Sequence, residues 1–168
     1  MTNPTDLTIE EWDLQHPRWA ELLELVRQLD QNDWFTFTAE WHTSSHVLVA
    51  LRRSTIAGFL RFVCQEIGPD TNCPAVQFQG QTLQEAKVLA FGVLPLHRRH
   101  GIGRALQEAL RQRARALGCY QIRSHSSGDN SENHQLKLSL GYGVLPILRG
   151  EDRRGVYFIL PLRQEKEK

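Results

Sequence analysis

The chain has 168 residues, with 20 Lys and Arg against 19 Asp and Glu, and so a formal net charge of +1 when His is neutral. Apolar residues make up 40% and charged ones 23%, a globular composition that excludes a disordered or collagen-like chain. The charge balance excludes a protein whose main task is to coat nucleic acid or an anionic membrane, and the length fits one domain, residues 1–168, able to bury about 70% of its unfolded surface.

In chain order, Met1 to Asp6 lack the basic segment and apolar run of a secretory signal, which reads as a cytoplasmic protein. Asp6 to Trp12 is a short strand. Pro17 opens a helix to about Leu29, in which Trp19, Leu22, Leu23, Val26 and Leu29 recur at i, i+3, i+4 spacing. A proline in the first turn forfeits only an N–H that would be unpaired there. Asp33 to Trp41 reads as a short second helix. Its Trp34, Phe35, Phe37 and Trp41 read as core, with the wall of an acceptor pocket as the alternative. Val47 to Leu51 and Ile56 to Ile67 are two strands joined at Arg52-Arg53-Ser54, and Gly68 to Gln84 is a loop that could wall an acceptor site.

The second half is more regular. Lys87 to Leu94 is a strand ending at Pro95, and the nearly apolar run Val88 to Leu96 is far short of the ~20 residues that span a bilayer. Ile102 to Leu117 is a helix with Ile102, Leu106, Ala109, Leu110, Arg113 and Leu117 along one stripe and Gly118 as its stop. Its outer arginines are interrupted by Glu108 and read as a solvated face. Tyr120 to His125 is a strand, Asn130 to Leu140 a helix with Ser126 and Ser127 as candidate caps, and Gly143 to Leu148 with Gly155 to Leu162 an antiparallel pair. Residues 163–168 read as a disordered tail. Strands, then strand–helix–strand–helix, then strands make a mixed α/β sheet. Cys64, Cys73 and Cys119 form no C-x-x-C pair and no zinc spacing. They read as reduced thiols, Cys64 and Cys119 in the core and Cys73 in a loop, so no metal is expected.

One segment carries chemistry. Val93-Leu94-Pro95-Leu96-His97-Arg98-Arg99-His100-Gly101-Ile102-Gly103 joins a buried strand to a long helix. The start of a helix offers unpaired N–H groups and the positive end of its dipole. Gly101 and Gly103 lack the side chains that would keep a phosphate from the backbone, and Arg98 and Arg99 add positive charge. The ligand expected here is a phosphorylated cofactor. A nucleoside triphosphate loop needs Gly-Lys-Ser/Thr, but Arg104-Ala105 follows Gly103. A dinucleotide loop needs G-x-G-x-x-G/A, but Leu106 stands at the third small position, and Arg123 stands where an acid would hold the ribose.

What remains resembles the GNAT superfamily of acetyl-CoA-dependent N-acyltransferases. That family's signature, R/Q-x-x-G-x-G/A behind a V-x-P strand end, is matched at every fixed position by Val93-Leu94-Pro95 and Arg98-Arg99-His100-Gly101-Ile102-Gly103. Its second element, an Asn opening a helix that ends in Gly-aromatic, is matched by Asn130 and Gly141-Tyr142. The resemblance implies an α/β GNAT fold: a mixed, mostly antiparallel twisted sheet with a V-shaped splay between its fourth and fifth strands and helices on both faces. It implies acetyl-CoA as cosubstrate, with backbone groups of Phe91 and Val93 pairing to the pantetheine arm. A strand bulge at Gly92 would open the splay, and an N–H near Phe91 to Val93 would stabilise the oxyanion. The amides of Arg99, His100, Gly101, Ile102, Gly103 and Arg104 would hold the pyrophosphate, with Arg98 beside them, and Asn130 would orient the thioester end.

The same resemblance implies an N-acetyltransferase acting on a primary amine of a small molecule or peptide by direct attack in a ternary complex, while the charge balance and the short apolar run lead us to expect no nucleic-acid or membrane partner. Relatives often form homodimers. An ammonium with a pKa near ~10.4 must lose a proton before it attacks. The candidate bases are His125, five residues before Asn130, and Glu85, toward the start of the central strand. Where the family often has a Tyr acid, seven residues after the Asn, this chain has Lys137. That departure supports an alternative: a GNAT-fold module that binds CoA as a sensor without turnover.

Overall fold

The computed structural model describes residues 6–126, 131–146 and 155–162. The elements are β1 (Leu7–Trp12), α1 (Trp19–Gln28), α2 (Asn32–Thr36), β2 (His42–Arg52), β3 (Thr55–Glu66), β4 (Gln77–Phe78), β5 (Gln81–Thr82), β6 (Gln84–Val93), α3 (Ile102–Ala116), β7 (Gln121–Ser126), α4 (Ser131–Ser139), β8 (Gly143–Pro146) and β9 (Val156–Pro161). Ser127, Asn130 and the tail 163–168 lie outside the described residues.

Seven of the described strands form one sheet in the order β1-β2-β3-β6-β7-β9-β8. The β6–β7 pair is parallel, and every other neighbouring pair is antiparallel. The chemistry of the connections sets this. Arg53 and Ser54 both take positive φ, 50° and 66°, which suits the tight turn of the β2–β3 hairpin. A parallel neighbour needs a long crossover, and α3 supplies it between β6 and β7.

Both faces of the sheet are covered. On one, α3 sets Ile102, Leu106, Leu110 and Ala114 against Leu48, Ala50, Leu60 and Phe62. On the other, Leu22, Leu25 and Val26 of α1 with Phe35 of α2 pack on Val47, Val49, Phe59 and Ala90. Each fully buried Leu or Phe of this kind contributes about 1.5–3 kcal/mol. Double coverage explains why β2 and β3 read as continuous apolar runs rather than alternating ones. Gly118 and Gly141 end α3 and α4 at φ +79° and +91°, backbone that glycine adopts without cost.

Several expectations are corrected. β2 begins at His42, five residues before the apolar run, because its polar start still pairs with β3 through His42↔Gln65 and Ser44↔Cys64. The stretch 68–84 is not a plain loop. It holds a 3₁₀ turn at Pro69–Thr71 and the β4–β5 hairpin, and β6 starts at Gln84. Of the four aromatics around α2, Phe35 is buried, whereas Trp34, Phe37 and Trp41 are 55%, 40% and 38% exposed. A one-and-a-half-turn helix can turn only one of them inward. Ser126 is buried at the end of β7, where its hydroxyl meets side chains of α4.

Candidate active site

β6 and β7 do not stay together. Their parallel pairing runs from Glu85↔Gln121 to Val88↔Ser124, yet β6 continues to Val93 and β7 to Ser126. Beyond Val88 and Ser124 the strands part, and among the described residues β6 remains paired with β3 alone. The cause is a bulge at Leu89, since Val88 pairs with Phe62 and Ala90 with Arg61. The expected bulge at Gly92 is therefore corrected: Gly92 pairs in regular register with Phe59. Its missing side chain serves close packing, because a Cβ there would lie 2.8 Å from Leu29 Cδ1. The extra residue shifts the alternation of side chains. Ala86 and Val88 share the α3-side core with Phe91 and Val93, while Ala90 turns to the α1 side.

The parting leaves a cleft of about 1380 Å³ bordered by Lys87 to Val93 of β6, the turn into α3, Ser124 to Ser126 of β7, and α4. The N–H of Leu94 bonds back to Ala57. With a period of two along the strand, Gly92 and Ala90 also address β3, and Phe91 and Val93 present their backbone groups to the open side. The Val93 carbonyl there accepts from Arg98 Nε at 3.1 Å.

At the mouth of the cleft lies the start of α3. Its first backbone bond to the cap runs from Ala105 N–H to Gly101 O, so the amides of Ile102, Gly103 and Arg104 have no carbonyl below them. Arg99 and Gly101 take φ of +64° and +77°, curling the turn over the helix end. A Cβ at Gly101 would meet nothing within 4 Å, whereas one at Gly103 would touch Leu136 and Phe91 at 3.3 Å. One glycine leaves the helix end open, and the other lets α4 and β6 close beside it. Exposed amides, an open turn, flanking Arg98, Arg99 and Arg104, and a long cleft with a free strand edge fit a diphosphate joined to an extended amide-bearing arm. His100 belongs to the same turn but is absent from the cleft lining, and Asn130 lies outside the described residues.

The two candidate bases are placed differently. His125 is exposed on β7, borders the cleft and stacks edge-on with Tyr157 at 5.6 Å. Glu85 is fully buried and outside the cleft lining. Both of its carboxylate oxygens accept from Arg123 Nε at 2.9 Å. Burial pushes the Glu85 carboxyl up, against the pull of Arg123. Arg123 also bonds Asp70, which Lys87 Nζ meets at 2.9 Å. This four-charge network ties the strands together where they still pair.

Two further residues border the cleft. Trp34, exposed where a core residue was expected, lines it from α2. Lys137 is 2% exposed; its Nζ donates to Ser124 Oγ at 2.6 Å and lies 5.1 Å from the Phe158 ring centre. Burial pushes its ammonium down to about 8. Ser126 Oγ meets Asn133 Nδ2 and His134 Nε2 at 3.2 and 3.1 Å, fastening α4 to β7. Among the described residues no cluster of His, Cys, Asp or Glu could hold a metal ion, and no helix is long and apolar enough to cross a membrane.

Comparison with known proteins agrees with this geometry. No curated protein matches the sequence. Among solved structures, Arabidopsis thaliana NAA60 in complex with acetyl-CoA superposes with a TM-score of 0.71 at 14% identity, over 92% of this chain and 99% of that one. Salmonella typhimurium yncA with its cofactor acetyl-CoA gives 0.62 at 18%, over 96% and 97%. The ribosomal-protein-S18-alanine N-acetyltransferase of Escherichia coli gives 0.59 at 19%, over 96% and 97%. At such identities the likeness shows the fold, whose mixed sheet opens between β6 and β7. The model of the acetyltransferase (GNAT) family matches residues 8–142, a span that takes in the open strand edge and the glycine turn, and the chain belongs to that family.

Proposed function

We propose that the protein transfers the acetyl group of acetyl-CoA directly to a primary amine of a small-molecule or peptide acceptor, with both substrates held at once. The observation that carries this reading is the parting of β6 and β7 beyond Val88 and Ser124, with unpaired helix amides at the mouth of the opening. Phe91 and Val93 pair with the amide-bearing arm as an added strand would. The amides from Arg99 to Arg104 hold the pyrophosphate, and Asn130 orients the thioester end. A backbone N–H on the open side of β6 supports the oxyanion, a fixed donor whose effect is greatest when negative charge develops.

His125 takes the amine's proton. It borders the cleft, and an imidazole titrates close enough to neutrality to accept a proton and release it again. Glu85 is the weaker candidate, because Arg123 occupies both of its oxygens and it stands apart from the cleft. Residues 121, 123 and 125 of β7 alternate with 122, 124 and 126. Because Ser124 and Ser126 face α4, His125 faces the opposite side of the sheet, where Trp34 stands. The acceptor therefore approaches from the α1–α2 face.

The test is incubation with acetyl-CoA and a panel of primary amines (amino acids, polyamines, aminoglycosides and peptide N-termini) with detection of released thiol. Thiol release with at least one amine is the expected result. Tight acetyl-CoA binding with no release from any amine would overturn the transfer reading in favour of a CoA-binding module.

A further inference from the structure

Resting on the transfer reading of the cleft, we infer that Lys137 is the acid that protonates the departing sulfur of coenzyme A, from the α4 side of the point where β6 and β7 part. The inference begins with position. Lys137 Nζ is hydrogen-bonded to Ser124 Oγ, and Ser124 is the last residue of β7 paired with β6. The ammonium therefore sits at the vertex of the opening and borders the cleft. His125, the next residue along β7, points to the other face, so a proton donor and a proton acceptor flank the vertex from opposite sides.

The second argument is cost. Among the described residues no carboxylate pairs with Lys137, and burial is the cause of its depressed pKa. Burying an unpaired cation costs several kcal/mol, and an apolar side chain of similar volume would fill the space more favourably. An anion arriving at the vertex removes that penalty, and a thiolate is such an anion.

The step balances. The amine lone pair forms the N–C bond to the acetyl carbon, and the C–S bond breaks with its electron pair going to sulfur. The surplus proton on nitrogen passes to His125, and a Lys137 proton passes to sulfur. Lys137 is left as a neutral amine that regains its proton from water. An ammonium near 8 beside a thiol of about 8.5 makes that transfer nearly level.

Other titratable groups stand on α4 and on the strands and loop that meet it. They are His134 on its own helix, bonded to Ser126, His125 and Tyr157 across the sheet, and Tyr142 after the helix, held by Gln107 at 3.1 Å.

The experiment needs no acceptor. Coenzyme A is bound to the wild-type protein, Lys137→Met and Lys137→Arg. Calorimetry gives the Kd, and the thiolate absorbance is titrated against pH as a difference spectrum with and without coenzyme. We expect similar Kd values, with about tenfold more thiolate at neutral pH on the wild type than on Lys137→Met. Lys137→Arg should keep the thiolate but slow thiol-releasing turnover, because a guanidinium does not give up its proton. A merely structural lysine would leave the thiol titration unmoved. Equal titration on wild type and Lys137→Met, with coenzyme bound to both, overturns the inference and leaves the binding reading standing. Failure of the wild type to bind coenzyme A overturns both. Should Lys137→Met not fold, the wild type decides alone: a bound thiol that titrates like the free one overturns the inference.

Discussion

Two residues carry predictions at the smallest scale. Gly101 holds φ at +77° with nothing near its missing Cβ, so Gly101→Val meets no clash, and its stability cost is the left-handed strain of about 1–2 kcal/mol. The fold should survive a thermal melt while affinity for acetyl-CoA, read by calorimetry, falls about tenfold or more because the branched side chain covers the helix amides. Lys137 carries the second. Its folded pKa, about 8, lies below the ordinary 10.5. Between those values the unfolded chain holds a proton that the folded one has released, so stability rises with pH through this window. Urea titrations at increasing pH should show the rise, and Lys137→Met should abolish it. The same substitution should make the protein more stable at neutral pH, by roughly 1–3 kcal/mol, since it removes an unpaired buried charge.

At the scale of the element, β6 is built from exceptions. Leu89 is an extra residue, and Gly92 admits Leu29 against the strand. On neighbouring β3, Gly58 lets the backbone of β6 come close. A Cβ on Gly58 would lie 2.8 Å from the carbonyl oxygen of Gly92 and 3.3 Å from Val93 Cγ2. Backbone cannot swing aside as the tip of Leu29 can, so Gly58→Ala should destabilise by about 2–3 kcal/mol and Gly92→Ala by less. Chemical denaturation of the two variants gives the order, and the reverse order would mean that β6 yields more readily than α1. Because Gly58 abuts the segment whose outer edge faces the cleft, Gly58→Ala should also weaken acetyl-CoA binding.

Across the whole molecule, the sheet is clamped at one end of the V and open at the other. Glu85, Arg123, Asp70 and Lys87 join β6, β7 and the turn after β3, just before the strands diverge. Removing one charge leaves its partner buried, so Glu85→Gln should cost about 3–5 kcal/mol in urea unfolding. The two carboxyls respond to acid in opposite senses. Burial acts to raise Asp70, but Lys87 and Arg123 hold it below its ordinary value, so its contribution is present above that value and is lost as pH falls through the depressed one. Glu85 is held above its ordinary value, so its protonation on acidification offsets part of that loss. Acid unfolding followed by fluorescence should therefore be steeper in Glu85→Gln, which keeps the Asp70 dependence and loses the offset.

The parts legible in the sequence are those that depend on neighbours along the chain. The helix stripe Ile102–Leu106–Leu110, the strand run before Pro95, the turn at Arg53-Ser54 and the glycines opening α3 are local patterns with local causes, and the motif around those glycines carried the resemblance to the family. Tertiary structure decided what depends on the other side of the sheet. No spacing tells that the bulge falls at Leu89 and not at Gly92, because a bulge is defined by the partner strand. Nor does spacing tell that Trp34 stays outside while Phe35 is buried, or that Arg123 claims both oxygens of Glu85 and leaves His125 facing the cleft. Lys137 was legible as an unusual residue in a familiar place, but its burial against Ser124 and Phe158, which depresses its pKa, exists only once α4 lies on β7 and β9.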